Sequence, residues 1–130
     1  MKIDIFALCD GVYCYENKLT VVGAYDVLNL PNLTATPVSL NIAAHIIFEA
    51  EECGDNMISI VAEDMDSGMK VMELKNPLDI SPRESVGTGV LNVALSDVPV
   101  IFPKTGKYKF TLAIEGRGSA ETFLNVLIAS

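Results

Sequence analysis

From Val38 to Phe48 every second residue is apolar: Val38, Leu40, Ile42, Ala44, Ile46 and Phe48. Ser39, Asn41, Ala43 and His45 lie between them, Glu49 follows, and Ile47 is the only misfit. A period of two has one physical reading, because side chains alternate across an extended chain, whereas a helix repeats every ~3.6 residues. The segment is a strand with one face in a core and the other toward water. Tyr108, Phe110, Leu112 and Ile114 repeat the pattern against Lys107, Lys109, Thr111, Ala113 and Glu115. Ile58, Ile60 and Ala62 do so against Ser59, Val61 and Glu63. Antiparallel sheets with one solvated face carry this alternation.

Further strands are expected at Lys2 to Cys9, Leu19 to Leu28, Met69 to Leu74, Val86 to Leu95 and Thr122 to Ala129. Turn chemistry separates them at Glu16-Asn17-Lys18, Leu30-Pro31-Asn32, Asp66-Ser67-Gly68, Asn76-Pro77, Ser81-Pro82 and Gly116-Arg117-Gly118. No segment holds a helical period long enough to predict a substantial helix. The reading is an all-β chain, a two-sheet antiparallel β-sandwich of about 7–9 strands. With 130 residues it is one domain spanning residues 1–130. Gly23 interrupts Val21-Val22-Gly23-Ala24-Tyr25, which predicts a bulge or a close backbone approach. The terminal segments differ from the rest. Ile3, Ile5 and Ala7 face one way and Phe6 and Leu8 the other, while Phe123, Leu124, Val126, Leu127 and Ile128 leave no wet face. Such an apolar second face needs a cover.

Pro103-Lys104-Thr105-Gly106-Lys107-Tyr108-Lys109-Phe110 resembles the corner of an immunoglobulin-like domain, where a tyrosine entering an inward-facing strand bonds back to the turn. Phe110 then stands where an antibody domain has its second cysteine. The core must rest on aliphatic and Phe burial, without an inter-sheet disulfide or a Trp.

Charge narrows the function. With 17 acidic against 9 basic side chains the net is −8, a field that repels nucleic-acid phosphates and anionic lipid. Lys104, Lys107 and Lys109 read as a solvated face that discourages edge pairing rather than as an anion patch. No apolar run is long enough to cross a bilayer, and Asp4 interrupts the only candidate signal segment. Cys9, Cys14 and Cys53 are odd in number and lack disulfide-framework spacing, which fits a reducing cytoplasm. The Asn32-Leu33-Thr34 sequon carries no weight without export.

Reactive chemistry finds little support. His45 is the single histidine and sits mid-strand on the wet side, an ordinary place for a surface imidazole. Cys9, Cys14, His45 and Cys53 lack the paired-thiolate spacing of a zinc knuckle, so the cysteines read as small hydrophobes. Asp66-Ser67-Gly68 resembles an aspartic-protease loop, but Glu63 and Asp64 precede it and hairpin chemistry explains it better. A calcium site would need Glu63, Asp64 and Asp66 to meet Glu49, Glu51, Glu52 and Asp55 at one end of the sandwich, but no spacing resembles an EF-hand and clustered loop acids are most often solvated. Gly87-Thr88-Gly89 lacks the third glycine and the helix that phosphate cradling needs.

Leu8-Cys9-Asp10, Gly23-Ala24-Tyr25-Asp26, and Pro103 to Tyr108 followed by Ile114-Glu115-Gly116 together resemble a bacterial family known only as a domain of unknown function. The resemblance implies the sandwich fold, a bacterial cytoplasmic setting, and a shared structural role for Cys9, Asp10, Gly23 and Asp26. It implies no activity. The expectation is therefore a non-catalytic protein-binding or assembly module, with no catalytic, cofactor-binding or metal residues, no cofactor, and no nucleic-acid or membrane partner. Its terminal strands would meet a protein partner or a second copy. The alternatives are a ligand or calcium binder through the acidic loops and a thiol enzyme using Cys9 or Cys14 with His45 and Asp66.

Overall fold

The computed structural model describes residues 1–33 and 36–129, so Thr34 of the sequon lies outside the described residues. Nine strands follow in chain order: β1 (Lys2–Tyr15), β2 (Lys18–Tyr25), β3 (Val27–Leu30), β4 (Val38–Phe48), β5 (Gly54–Asp64), β6 (Lys70–Ile80), β7 (Gly89–Val100), β8 (Gly106–Ile114) and β9 (Gly118–Ile128). A single 3-10 turn, Ala50–Glu52, is the only helical element among the described residues. The strands form a four-stranded sheet, β2-β1-β4-β7, and a five-stranded sheet, β3-β9-β8-β5-β6.

The alternation of β4 places Leu40, Ile42, Ala44, Ile46 and Phe48 fully inside. Ile58, Ile60 and Ala62 of β5, Phe110, Leu112 and Ile114 of β8, and Leu124 and Val126 of β9 meet them from the opposite sheet. Each buried Leu, Ile or Phe contributes roughly 1.5–3 kcal/mol, so aliphatic burial replaces the missing disulfide. Tyr108 is buried, its hydroxyl donates to the Lys104 carbonyl at 2.7 Å, and its ring meets Phe102 edge-on at 4.9 Å. The expected tyrosine corner is therefore present, and the two-sheet arrangement is compatible with an immunoglobulin-like sandwich.

Strand boundaries and faces differ from the sequence reading at several points; β7, for instance, is Gly89–Val100 rather than Val86 to Leu95. The stretch Leu19 to Leu28 is two strands in different sheets: β2 pairs with β1, and beyond Asp26 the chain crosses over so that β3 pairs with β9. That last pair is parallel, an exception in an otherwise antiparallel sandwich. Asn76-Pro77 is not a turn but lies within β6, which tolerates a proline because β6 is an edge with one free side. The register shift between Ile3 and Ile5 flips β1, so Ile3 pairs with Ile46 on the core side while Ile5 pairs with His45 on the outer side. One extra residue, Asp4, undid the simple alternation.

The chain itself covers part of the outer face of the four-stranded sheet, while Ile5, Leu127 and Ile128 of the terminal strands stay exposed. β1 continues past Cys9 to Tyr15 and turns back through Glu16 and Asn17, both left-handed at φ 52° and 60°, as a two-residue hairpin requires. β4 accompanies β1 only as far as Cys9. Beyond it the β1–β2 hairpin lies on the outer face of the four-stranded sheet, where Val12, Leu19 and Val21 pack with Cys9 and the fully buried Ala43. Asn92 of β7 donates to the Asn17 carbonyl at 3.1 Å and holds the hairpin tip.

Candidate functional site

The residues singled out in sequence for chemistry are scattered. His45 sits on the outer sheet face with its Nδ1 2.6 Å from Asp4 Oδ1. Cys9 is buried, its thiol directed at the Asn41 carbonyl 3.8 Å away, and burial pushes its pKa up, against nucleophilic use. Cys14 is exposed on the hairpin, and Cys53 directs its thiol at the Glu49 carbonyl. All three cysteines are free. Asp66 lies in the exposed β5–β6 turn, where Ser67 and the Asp66 amide both donate to Asp64. That turn is ordinary hairpin chemistry, as its sequence indicates.

The two groups of acids that a calcium site would need at one end of the sandwich do not meet. Glu49 to Asp55 precede and begin β5, whereas Glu63 to Asp66 close it, and 11 extended residues separate the two groups by roughly 33 Å. Each group finds a cation within the protein. Met1 ammonium lies 2.7 Å from Glu52, which it holds below the usual carboxylate range with help from the Glu49 amide. Lys104 lies 2.9 Å from Asp64 and Lys109 3.3 Å from Glu63. Lys107 stands over the Phe123 ring at 4.6 Å. Lys107 and Lys109 lie on β8, which is interior to its sheet, so they protect no edge; with Lys104 from the preceding loop they neutralise acids and cover an aromatic. Among the described residues no three His, Cys, Asp or Glu side chains gather as metal ligands.

Neither terminal strand is an edge either, since β1 lies between β2 and β4, and β9 between β3 and β8. The open side of the sandwich is elsewhere. β6 and β7 are the edges of their respective sheets and touch where Ile80 approaches Gly89. Between them lies a groove of about 510 Å3, walled by Ile58, Ile60, Leu74, Leu78, Leu91 and Leu95. Five consecutive β7 residues, 91 to 95, line it, so the strand's backbone edge as well as its side chains faces the groove. The two edges differ. β6 carries Lys70, Glu73, Lys75 and Pro77, residues that discourage pairing, while Val90 to Ser96 of β7 has neither charge nor proline.

The family model described as "Family of unknown function (DUF6941)" matches residues 4–127. The chain belongs to that family. The DUF6941 match takes in part or all of every strand, both walls of the groove and the tyrosine corner. No curated protein matches the chain. No helix among the described residues is long and apolar enough to cross a membrane.

The sequence signal for the groove was present but local: an uncharged run, Val90 to Leu95, against a charged, proline-bearing run, Lys70 to Pro77. Only the sheet order reveals that both are edges, and that they face each other.

Proposed function

We propose that this member of the DUF6941 family is a non-catalytic protein-binding module that receives an extended segment of a partner along β7. One observation carries the reading: an unprotected strand edge borders an apolar groove on the open side of the sandwich. Strand addition takes affinity from main-chain hydrogen bonds and specificity from pockets for alternate side chains, and this side offers both. About six residues of partner chain, ~20 Å long, would match the lined stretch of β7. The occupant is a foreign, basic-flanked segment rather than a second copy, because two chains each carrying −8 repel one another. Exposed Asp79 and Asp97, each close in sequence to a groove residue, favour lysine or arginine at the segment's ends. Three free cysteines support a reducing, cytoplasmic setting.

The test uses a displayed library of random 12-residue peptides panned on the intact protein, followed by titration of the enriched peptide. Enriched sequences should alternate apolar residues with flanking Lys or Arg and slow amide exchange along residues 90–95. Leu74→Glu in the groove should weaken binding at least ~10-fold, the equivalent of about 1.4 kcal/mol, while Val22→Glu, outside the groove, should not. No enrichment, or binding indifferent to Leu74→Glu, would overturn the reading.

A further inference from the structure

A second hollow, of about 360 Å3, opens where the chain crosses between sheets. Cys9, Asp10, Tyr25, Val27, Leu28, Ser39 and Asn41 line it, and it shares no lining residue with the β6–β7 groove. Its polar groups come from three strands. Leu8 pairs with Tyr25 and Cys9 with Ala24, which sets Asp10 opposite Gly23. Gly23 leaves room for that carboxylate, since a Cβ there would stand 2.9 Å from Asp10 Cγ. Asn41 fixes the floor: its amide donates to the Asp10 carbonyl at 2.8 Å, and its oxygen accepts from the Asp97 amide at 3.0 Å.

Asp10 and Ser39 are exposed and Tyr25 is half-buried, so one carboxylate and two hydroxyl-bearing side chains border the hollow on its open side. Tyr25 is half-buried, and burial together with the charge of Asp10 raises its pKa, so the ring stays neutral beside the carboxylate at physiological pH. Val27 and Leu28 complete the lining with apolar surface. One carboxylate, two hydroxyl oxygens, an aromatic ring and an aliphatic wall suit a cation that carries several N–H donors on an alkyl stem. A metal ion is poorly matched, because Asp10 is the only carboxylate among the lining residues.

We propose that the hollow binds an alkyl guanidinium or alkyl ammonium group, with Asp10 facing the charge, Tyr25 and Ser39 accepting its remaining N–H bonds, and Val27 and Leu28 against the stem. The net charge of −8 attracts such a ligand to the surface. The head group belongs either to a free amine or to an arginine or lysine side chain of a protein, and the two sources are separable by probe.

Amide chemical-shift titrations with butylguanidinium and with acetyl-Gly-Arg-Gly-amide provide the test. Saturable shifts confined to residues 8–11, 23–28 and 39–41 are expected. Tighter binding of butylguanidinium marks a free-amine site and tighter binding of the tripeptide a protein side-chain site. Asp10→Asn should weaken either probe by about tenfold, the scale of one charge-assisted contact, and Ser39→Ala should weaken it measurably with the melting temperature unchanged. Shifts that do not saturate, or that Asp10→Asn leaves intact, would overturn the assignment.

Discussion

Asp64 is the only charged side chain buried among the described residues, at 1% exposure, and it organises the corner at which β5 turns into β6. It accepts from Lys104 at 2.9 Å, from Ser67 at 2.7 Å and from the Asp66 amide at 3.2 Å. Lys104 in turn offers its carbonyl to Tyr108, so one lysine joins the acid to the tyrosine corner. Hydrogen bonds from Lys104 and Ser67 hold the Asp64 pKa at about 2, down from 3.8. A carboxylate depressed on folding adds stability above its unfolded pKa and loses it as pH falls through the folded one. Melting temperature should therefore be insensitive to Asp64 above about pH 5 and decline between about pH 4 and 2. Asp64→Asn should melt lower at pH 7 and lose that share of the acid dependence; identical pH profiles for the two proteins would refute it. The motif Asp66-Ser67-Gly68 was legible as a turn, but the carboxylate that ties it is two residues earlier. Its cation comes from a loop 40 positions along the chain, beyond the reach of local pattern.

At the scale of elements, the β1–β2 hairpin shows how a single backbone position redirects two strands. Gly23 adopts φ +65°, opposite Asp10 and close to where β1 leaves β4. Sequence marked Gly23 as a bulge or a close approach, and the structure shows a close approach of the Asp10 side chain. Any Cβ there meets both left-handed strain, about 1–2 kcal/mol, and the carboxyl group. Gly23→Ala should lower unfolding free energy by about 1–2 kcal/mol in urea melts, with the m-value unchanged. Because it displaces Asp10, the same substitution should weaken guanidinium binding. Asp26 is instructive in the opposite direction. Its backbone carbonyl accepts from the amide and side chain of Asn125 at 2.8 and 3.2 Å, which a side-chain substitution leaves in place. The sequence reading ran one strand through Asp26, whereas the chain changes sheet there, and the atom that bonds at the crossing is one that every residue possesses.

For the molecule as a whole, order along the chain and order across the sheets diverge. β1 with β4, β4 with β7, and β3 with β9 join segments distant in sequence, and only β1–β2, β5–β6 and β8–β9 are local hairpins. Contacts of this kind require loop closure before they stabilise anything, so folding should take milliseconds to seconds in stopped-flow refolding, not microseconds. A microsecond phase accounting for the full amplitude would contradict this. The same non-local pairing explains why neither terminal strand is a sheet edge: β1 lies between β2 and β4, and β9 between β3 and β8. The edges are β2 and β7 of one sheet and β3 and β6 of the other, all inward of the two terminal strands in chain order.

Alternation of side chains was enough, by itself, to determine the all-β class and the inward residues of β4, β5 and β8, because these follow from the geometry of one extended segment. The tyrosine corner was expected from the resemblance of Pro103 to Phe110 to an immunoglobulin-like corner. Which strands stand at the sheet edges, where the chain changes sheet, and which acids meet which lysines were decided only by the tertiary structure. Pairing between strands is a choice among partners with nearly identical backbones, and it is settled by the packing of the whole sandwich rather than by any one stretch of sequence.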